Sequence, residues 1–283
     1  MKKFIIKGIL FLLIAAIILT SFELFNIYYS KDYTTKVHGA EVYWSIFKSK
    51  NKKQVKKLLI GDSVCKQLYD NYEYNDSIYS LACNQAITVA GQYFLLYNFL
   101  QTNNDQLPQE IILFYNPGSF ENNIDIYAFQ YFLKPFYNAE YRGLMDDYLL
   151  SRIKEIPFYY ITQLPFIKTS NYSPEYQLKN EEYGIFSPLS KIYLEKIVQL
   201  CEEKNIVFRL EPVPVKKMNE EIIEKLKQNK TNIPDINPDI LEDYFSKVTY
   251  FEDTLFIDNA HFKREYIPHD YLNLGKNDAE NNR

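Results

Sequence analysis

An α/β fold, with a mostly parallel sheet sandwiched by helices, is predicted from the character of the apolar runs and from their order. Short continuous runs such as "KLLIGDS", "EIILFYNP" and "IVFRLEPVP" stop at Gly, Asn or Pro, as strands covered on both faces do. Longer stretches between them carry apolar residues at helical spacing. Alternation of the two along the chain implies parallel strands joined by helical crossovers. The first strand runs through Leu58–Ile60 into Gly61, the second covers Ser77 to Asn84, and Val89, Tyr93, Leu96 and Leu100 share one face of the helix that follows. Strands are then expected at Glu110 to Pro117, at "IVFRLEPVP" and, last, at "LFIDNAHF", with an amphipathic helix over Lys191 to Asn205. In such sheets working residues gather beyond the carboxyl ends of the strands.

The ends of the chain read differently. Phe4 to Phe22 is apolar except for Lys7; as a helix it spans ~28 Å, near the ~30 Å of a hydrocarbon core. Lys2, Lys3 and Lys7 then hold the N-terminus on the cytoplasmic side and leave the remainder outside. Residues 1–22 are expected to form an uncleaved signal anchor in the cytoplasmic membrane, contacting the lipid bilayer. The alternative is a cleaved signal peptide, for which Thr20 or Ser21 would stand at −1 with bulky Ile18 or Leu19 at −3. Residues 23–55 read as a membrane-proximal stalk and first helix, and 56–274 as the α/β domain. Within it, the Tyr-, Phe-, Asn- and Pro-rich 118–188 interrupts the rhythm and reads as an inserted, partly helical cap. The polar 275–283 reads as a disordered tail.

Composition narrows the function. A net charge of −4 with scattered basic residues lacks the footprint of a nucleic-acid binder. Cys65, Cys83 and Cys201 show neither CxxC nor Cys/His spacing, so no metal or other cofactor is implied; buried thiols are expected, with one disulfide and a spare thiol as the alternative. The 26 Tyr and 20 Phe belong to core packing, with stacking on sugars as a further use.

Ser63, directly after the first strand, is either a nucleophile or a helix N-cap. A nucleophilic serine needs a base, and the chain has three histidines, His38, His261 and His269. His38 lies in the stalk, and His269 follows a proline in "YIPHDYL". His261 follows Asp258 by three positions, a spacing at which the carboxylate reaches Nδ1 and turns Nε2 to the serine. Ser63, His261 and Asp258 are therefore the candidate catalytic set, drawn from the first and last strand ends. Arg209 and Glu211, at the end of a later strand, are candidates for substrate contact.

Gly61-Asp62-Ser63 and Asp258-Asn259-Ala260-His261 resemble the first and last blocks of the SGNH (GDSL-type) hydrolases. The resemblance covers roughly 56–274 and implies a flavodoxin-like sheet, an acyl-serine mechanism and an oxyanion hole. By that resemblance the hole is built from the Ser63 N–H, Asn116 in "FYNP" and a glycine of the second block, for which "NQAITVAG" offers Gly91. Ala86 and Val89 stand where the family commonly has glycine, and Asn116 could equally be a turn former before Pro117. The anchor, "NPGSF", "EPVPV" and the aromatic insertion are similar to the membrane-anchored cell-envelope branch. That implies an esterase or O-acyltransferase acting on a cell-envelope polysaccharide or other acylated glycan, beside a membrane-bound O-acyltransferase. A catalytically inactive accessory or glycan-binding protein is the alternative. Nothing supports a nuclease: no metal-ligand cluster or phosphate-cradling glycine loop is visible.

Overall fold

The structure, a computed structural model, describes residues 2–29, 40–69, 77–83, 87–124, 132–133, 135–156, 159, 184–228, 232–268 and 271. In chain order the elements are α1 (Lys2–Tyr29), α2 (Ala40–Ser49), β1 (Lys57–Gly61), α3 (Ser63–Tyr69), β2 (Ile78–Ser80), α4 (Val89–Thr102) and β3 (Glu110–Tyr115). After them come α5 (Ala139–Arg142), α6 (Asp147–Lys154), α7 (Pro188–Glu203), β4 (Val207–Pro212), β5 (Val215–Lys216), α8 (Glu220–Gln228), α9 (Pro238–Ser246) and β6 (Tyr250–Phe251). The chain divides into two compact units, Met1–Trp44 with Ile124–Asn180, and Ser45–Asn123 with Glu181–Arg283.

In the first unit, α1 contains a 20-residue apolar stretch, Lys2–Ser21, of mean hydropathy 2.5 that buries nothing within the protein. It has the length and composition of a single-pass membrane anchor or a signal sequence. The short α5 and α6 start on side-chain caps, Asn138 to the Glu140 N–H and Asp146 to the Leu149 N–H. Phe136 packs against Phe132 and Tyr141 at ring separations of 5.4 and 5.3 Å. The described part of 118–188 contains the short helices α5 and α6 between turns, and most of that stretch falls in this unit. The tail 275–283 lies outside the described residues.

The second unit holds a four-stranded parallel sheet of order β2-β1-β3-β4, flanked by helices. From β1 the chain steps one way to β2 and then back across β1 to β3, so the crossover direction reverses between β1 and β3. Ligands bind beyond the carboxyl ends of strands at such a reversal. Right-handed crossovers put α3 on one face and α4 with α7 on the other. Leu59, Ile112 and Phe114 pack with Val64, Cys65, Leu68 and Tyr69 of α3. On the other face Tyr93 and Phe94 of α4 meet Tyr193 of α7 at 5.6 and 5.7 Å. Leu58, Ile60, Ile111 and Leu113 are fully buried. At roughly 1.5–3 kcal/mol per buried large apolar side chain, these layers hold the sheet together.

Two sequence expectations change. "LFIDNAHF" is not a sheet strand: the last strand among the described residues is β6, paired parallel with β5 in a separate two-stranded sheet. Phe256 and Phe262 instead face each other across a tight antiparallel turn, because their apolar side chains bury against one another. The stalk also contributes to the second unit, which begins at Ser45: α2 buries Ser45, Ile46 and Ser49, and Asn98 of α4 donates to the Ser49 hydroxyl at 3.1 Å.

Gly61, where β1 ends, admits no side chain. A Cβ there would lie 2.5 Å from the Phe114 carbonyl oxygen and 2.7 Å from the Cys65 Cβ. Gly61→Ala should therefore cost about 1–3 kcal/mol or more through overpacking, read as a lowered thermal midpoint.

Candidate active site

The turn after β1 is held by Asp62. Its Oδ1 accepts the Val64 and Cys65 N–H groups at 2.9 and 3.1 Å, and its Oδ2 accepts the Asn116 N–H at 3.3 Å. One carboxylate thus caps α3 and ties the end of β1 to the end of β3. The capping role considered for Ser63 belongs to Asp62. Ser63 is the first residue of α3, where a helix leaves the backbone N–H without an intrahelical partner. Its Oγ lies 2.7 Å from Nε2 of His261.

His261 comes from the turn joining Phe256 to Phe262. The Ile257 N–H donates to the His261 carbonyl at 2.8 Å and the Lys263 N–H to the Leu255 carbonyl at 2.9 Å. The Phe256 and Phe262 rings stack at 4.3 Å. Inside this turn Asp258 accepts the Ala260 and His261 N–H groups at 2.8 Å each. The same carboxylate meets Nδ1 of His261, at 2.8 Å from Oδ2. A carboxylate only accepts, so Nδ1 carries the imidazole proton and Nε2 is left to accept from the Ser63 hydroxyl. Partial burial pushes the Asp258 carboxyl up, but the two backbone N–H groups and the imidazole outweigh it and hold the carboxyl below its ordinary 3.8. Asp62 goes the other way: burial dominates its three N–H bonds and the nearby imidazole, and raises it above 3.8.

The remaining expected residues divide. Asn116 stands at the end of β3 and caps the following 3₁₀ turn, its Oδ1 accepting the Gly118 N–H at 2.9 Å. Its NH₂ group is what the side chain has left to donate. Gly91 is a correction: its N–H donates to the Thr88 carbonyl at 2.9 Å in the first turn of α4, where Ile87 packs against it, so that donor is spent on the helix. Arg209 and Glu211 also differ from expectation. They bind each other, Arg209 reaches Glu110 at 3.0 Å, and Lys247 reaches Glu211 at 3.1 Å. The buried Glu211 carboxylate is thereby neutralised within the fold, joining β4 to β3 and to the end of α9. His269 and Ala86 lie outside the described residues. Cys65, Cys83 and Cys201 are buried and in no disulfide. Burial, then the Asp62 charge, pushes the Cys65 thiol well above its ordinary value, and burial pushes Cys201 up to about 12. Neither is a thiolate at neutral pH.

Two glutamines escaped the sequence reading. Gln67, one helical turn beyond Ser63 on α3, donates to the Phe262 carbonyl at 2.8 Å and accepts the Phe262 N–H at 2.9 Å. Ser63 and Gln67 share one helix face, so the residue beside His261 is clamped to the helix that carries Ser63. The i,i+4 spacing from Ser63 was the only local hint. Gln92, fully buried on α4, treats Gly61 likewise, accepting its N–H at 3.1 Å and donating to its carbonyl at 2.8 Å. The Gly61 carbonyl also accepts the Cys83 N–H at 3.2 Å, so Gln92 and the segment after β2 together hold the end of β1.

Gln67→Leu leaves both Phe262 groups unpaired and loosens His261 over Ser63. The rate of Ser63 labelling by a fluorophosphonate probe should fall ~10–100-fold, with Gln67→Glu, which still accepts the Phe262 N–H, retaining more. Asp62 carries a pH signature. Its folded carboxyl titrates above 3.8, so the stability associated with it is greatest below the unfolded value and declines as pH rises through the folded one. Asp62→Asn should flatten that decline in thermal melts, and should cost about 1–3 kcal/mol by setting an NH₂ group against the Asn116 N–H.

No family model, curated protein or solved structure matches this chain.

Proposed function

We propose that the protein is an SGNH-type serine esterase or O-acyltransferase working through an acyl-Ser63 intermediate. One observation carries this reading: Ser63 Oγ and His261 Nε2 lie 2.7 Å apart although 198 positions separate them in the chain, and Asp258 backs the far side of the imidazole. A hydroxyl, an imidazole and an orienting carboxylate in this order are the requirement for a serine nucleophile.

His261 Nε2 takes the Ser63 proton as Oγ bonds to an ester carbonyl carbon. The tetrahedral oxyanion is stabilised by the Ser63 N–H and the Asn116 amide, each such donor being worth about 3 kcal/mol. Collapse breaks the bond to the alcohol, which leaves with the proton from His261. Water or a sugar hydroxyl, deprotonated by the same imidazole, then attacks the acyl carbon, and collapse breaks its bond to Ser63 Oγ, which takes the proton back from His261. Hydrolysis and transfer differ only in that last acceptor. Asp258 stays ionised throughout, in keeping with its lowered pKa.

The apolar α1 supports placing this chemistry at a membrane, with the second unit on the extracytoplasmic side. The substrate class in this reading is an acyl ester of a cell-envelope glycan, handled beside a membrane-bound O-acyltransferase. A non-catalytic accessory of such an enzyme is the second reading; the loss of Gly91 as an oxyanion donor favours it.

A fluorophosphonate probe separates the two. Covalent labelling of the full chain, lost in Ser63→Ala and lowered ~10⁴-fold in rate by Asp258→Asn, is the expected result. A protein that melts cooperatively yet takes no label is the accessory.

A further inference from the structure

α2 is built inside out on one side. Its inner face is buried by Val42, Ser45, Ile46 and Ser49. Its C-terminal half belongs to the second unit and is fixed there: the Tyr79 hydroxyl donates to the Lys48 carbonyl at 3.2 Å and Asn98 reaches Ser49. A helix so placed ordinarily turns charge to water. Here Trp44 and Phe47, one turn apart, occupy the outward side at 52% and 59% exposure. Exposed Lys50, Lys52, Lys53 and Lys56 follow directly, with Lys52 held by Asp105 at 2.7 Å. The apolar span ends at Ser21 and α1 runs on to Tyr29, ~12 Å of further helix; residues 30–39 then reach no more than ~35 Å even fully extended.

We infer that the outward face of α2 docks on the surface of the bilayer that α1 enters, with Trp44 and Phe47 seated at the boundary between headgroups and acyl chains. The inference rests on reading α1 as a membrane anchor. The occupant is a lipid surface because three features coincide. Indole and phenyl rings partition to that boundary, lysines beside them attract anionic headgroups, and the tether of 22–39 keeps the membrane within reach of the helix. Docking of an amphipathic helix whose apolar side is this narrow is weak alone, and a membrane-spanning tether makes it effectively intramolecular. The consequence is a set distance between the second unit and the bilayer.

Trp44 is the chain's single tryptophan, so its emission reports on α2 alone. The full chain is reconstituted in vesicles of phosphatidylcholine and phosphatidylglycerol, with lipid brominated high on the acyl chain in one series. Docking predicts at least ~twofold quenching of Trp44 by brominated lipid and protection from acrylamide, with the quenching reduced in Phe47→Glu while the thermal midpoint and fluorophosphonate labelling are unchanged. Trp44 open to acrylamide and untouched by bromine overturns the docking, as does shielding from both quenchers, which means a protein surface covers α2. Release of the chain by alkaline carbonate overturns the anchor and the docking together, whereas either of the other failures in a carbonate-resistant chain overturns the docking alone.

Discussion

Asp62 sits where three elements have to agree. Its carboxylate takes the first N–H groups of α3 and the Asn116 N–H at the end of β3, so one side chain fixes the turn after β1, the start of the Ser63 helix and the edge of the crevice between β1 and β3. Burying that charge is costly, as its raised titration shows, and three backbone donors offset part of the cost. Nothing larger than Gly61 fits immediately before it, because the Phe114 carbonyl and Cys65 close over the spot. The pairing of the half-buried serine follows from this arrangement: with Asp62 as the cap, the Ser63 hydroxyl is left to bond His261.

The imidazole arrives from the other end of the chain on a turn organised almost wholly from within. Asp258 binds two backbone N–H groups and Nδ1 at once, and the stacked Phe256 and Phe262 rings close the turn beneath it. Such a unit could form at many positions on the surface. Gln67 chooses one, because the Phe262 peptide groups that the turn leaves outward are those its carboxamide bonds. The contact between Ser63 and His261 is thus the meeting of two locally rigid pieces docked through a neighbouring residue, which favours preorganisation.

Charge elsewhere serves packing. Glu211, buried on the edge strand, is neutralised by Arg209 and Lys247, which joins β4 to α9 without opening the side of the sheet. Removing one partner would leave a buried charge, the costly outcome for such a cluster. The β4 edge thus serves as support, while Ser63 and Asn116 stand at the β1/β3 reversal.

The sequence alone determined the sheet strands β1, β3 and β4, the apolar N-terminal helix and the two short motifs around Ser63 and His261. Each is a local property: continuous apolar runs, a breaker at the end, or a carboxylate three positions before a histidine. Tertiary structure decided what local pattern does not contain. "LFIDNAHF" looks like a strand, but Phe256 and Phe262 find each other before they find a sheet. Gly91 looks like a loop donor, but its N–H closes a helical turn. Gln67 and Gln92 carry no periodicity or motif, since an amide side chain acquires a role only from the backbone brought opposite it. The pairing of Ser63 with His261 likewise exists only once the strand order has carried the first turn and the last into one crevice.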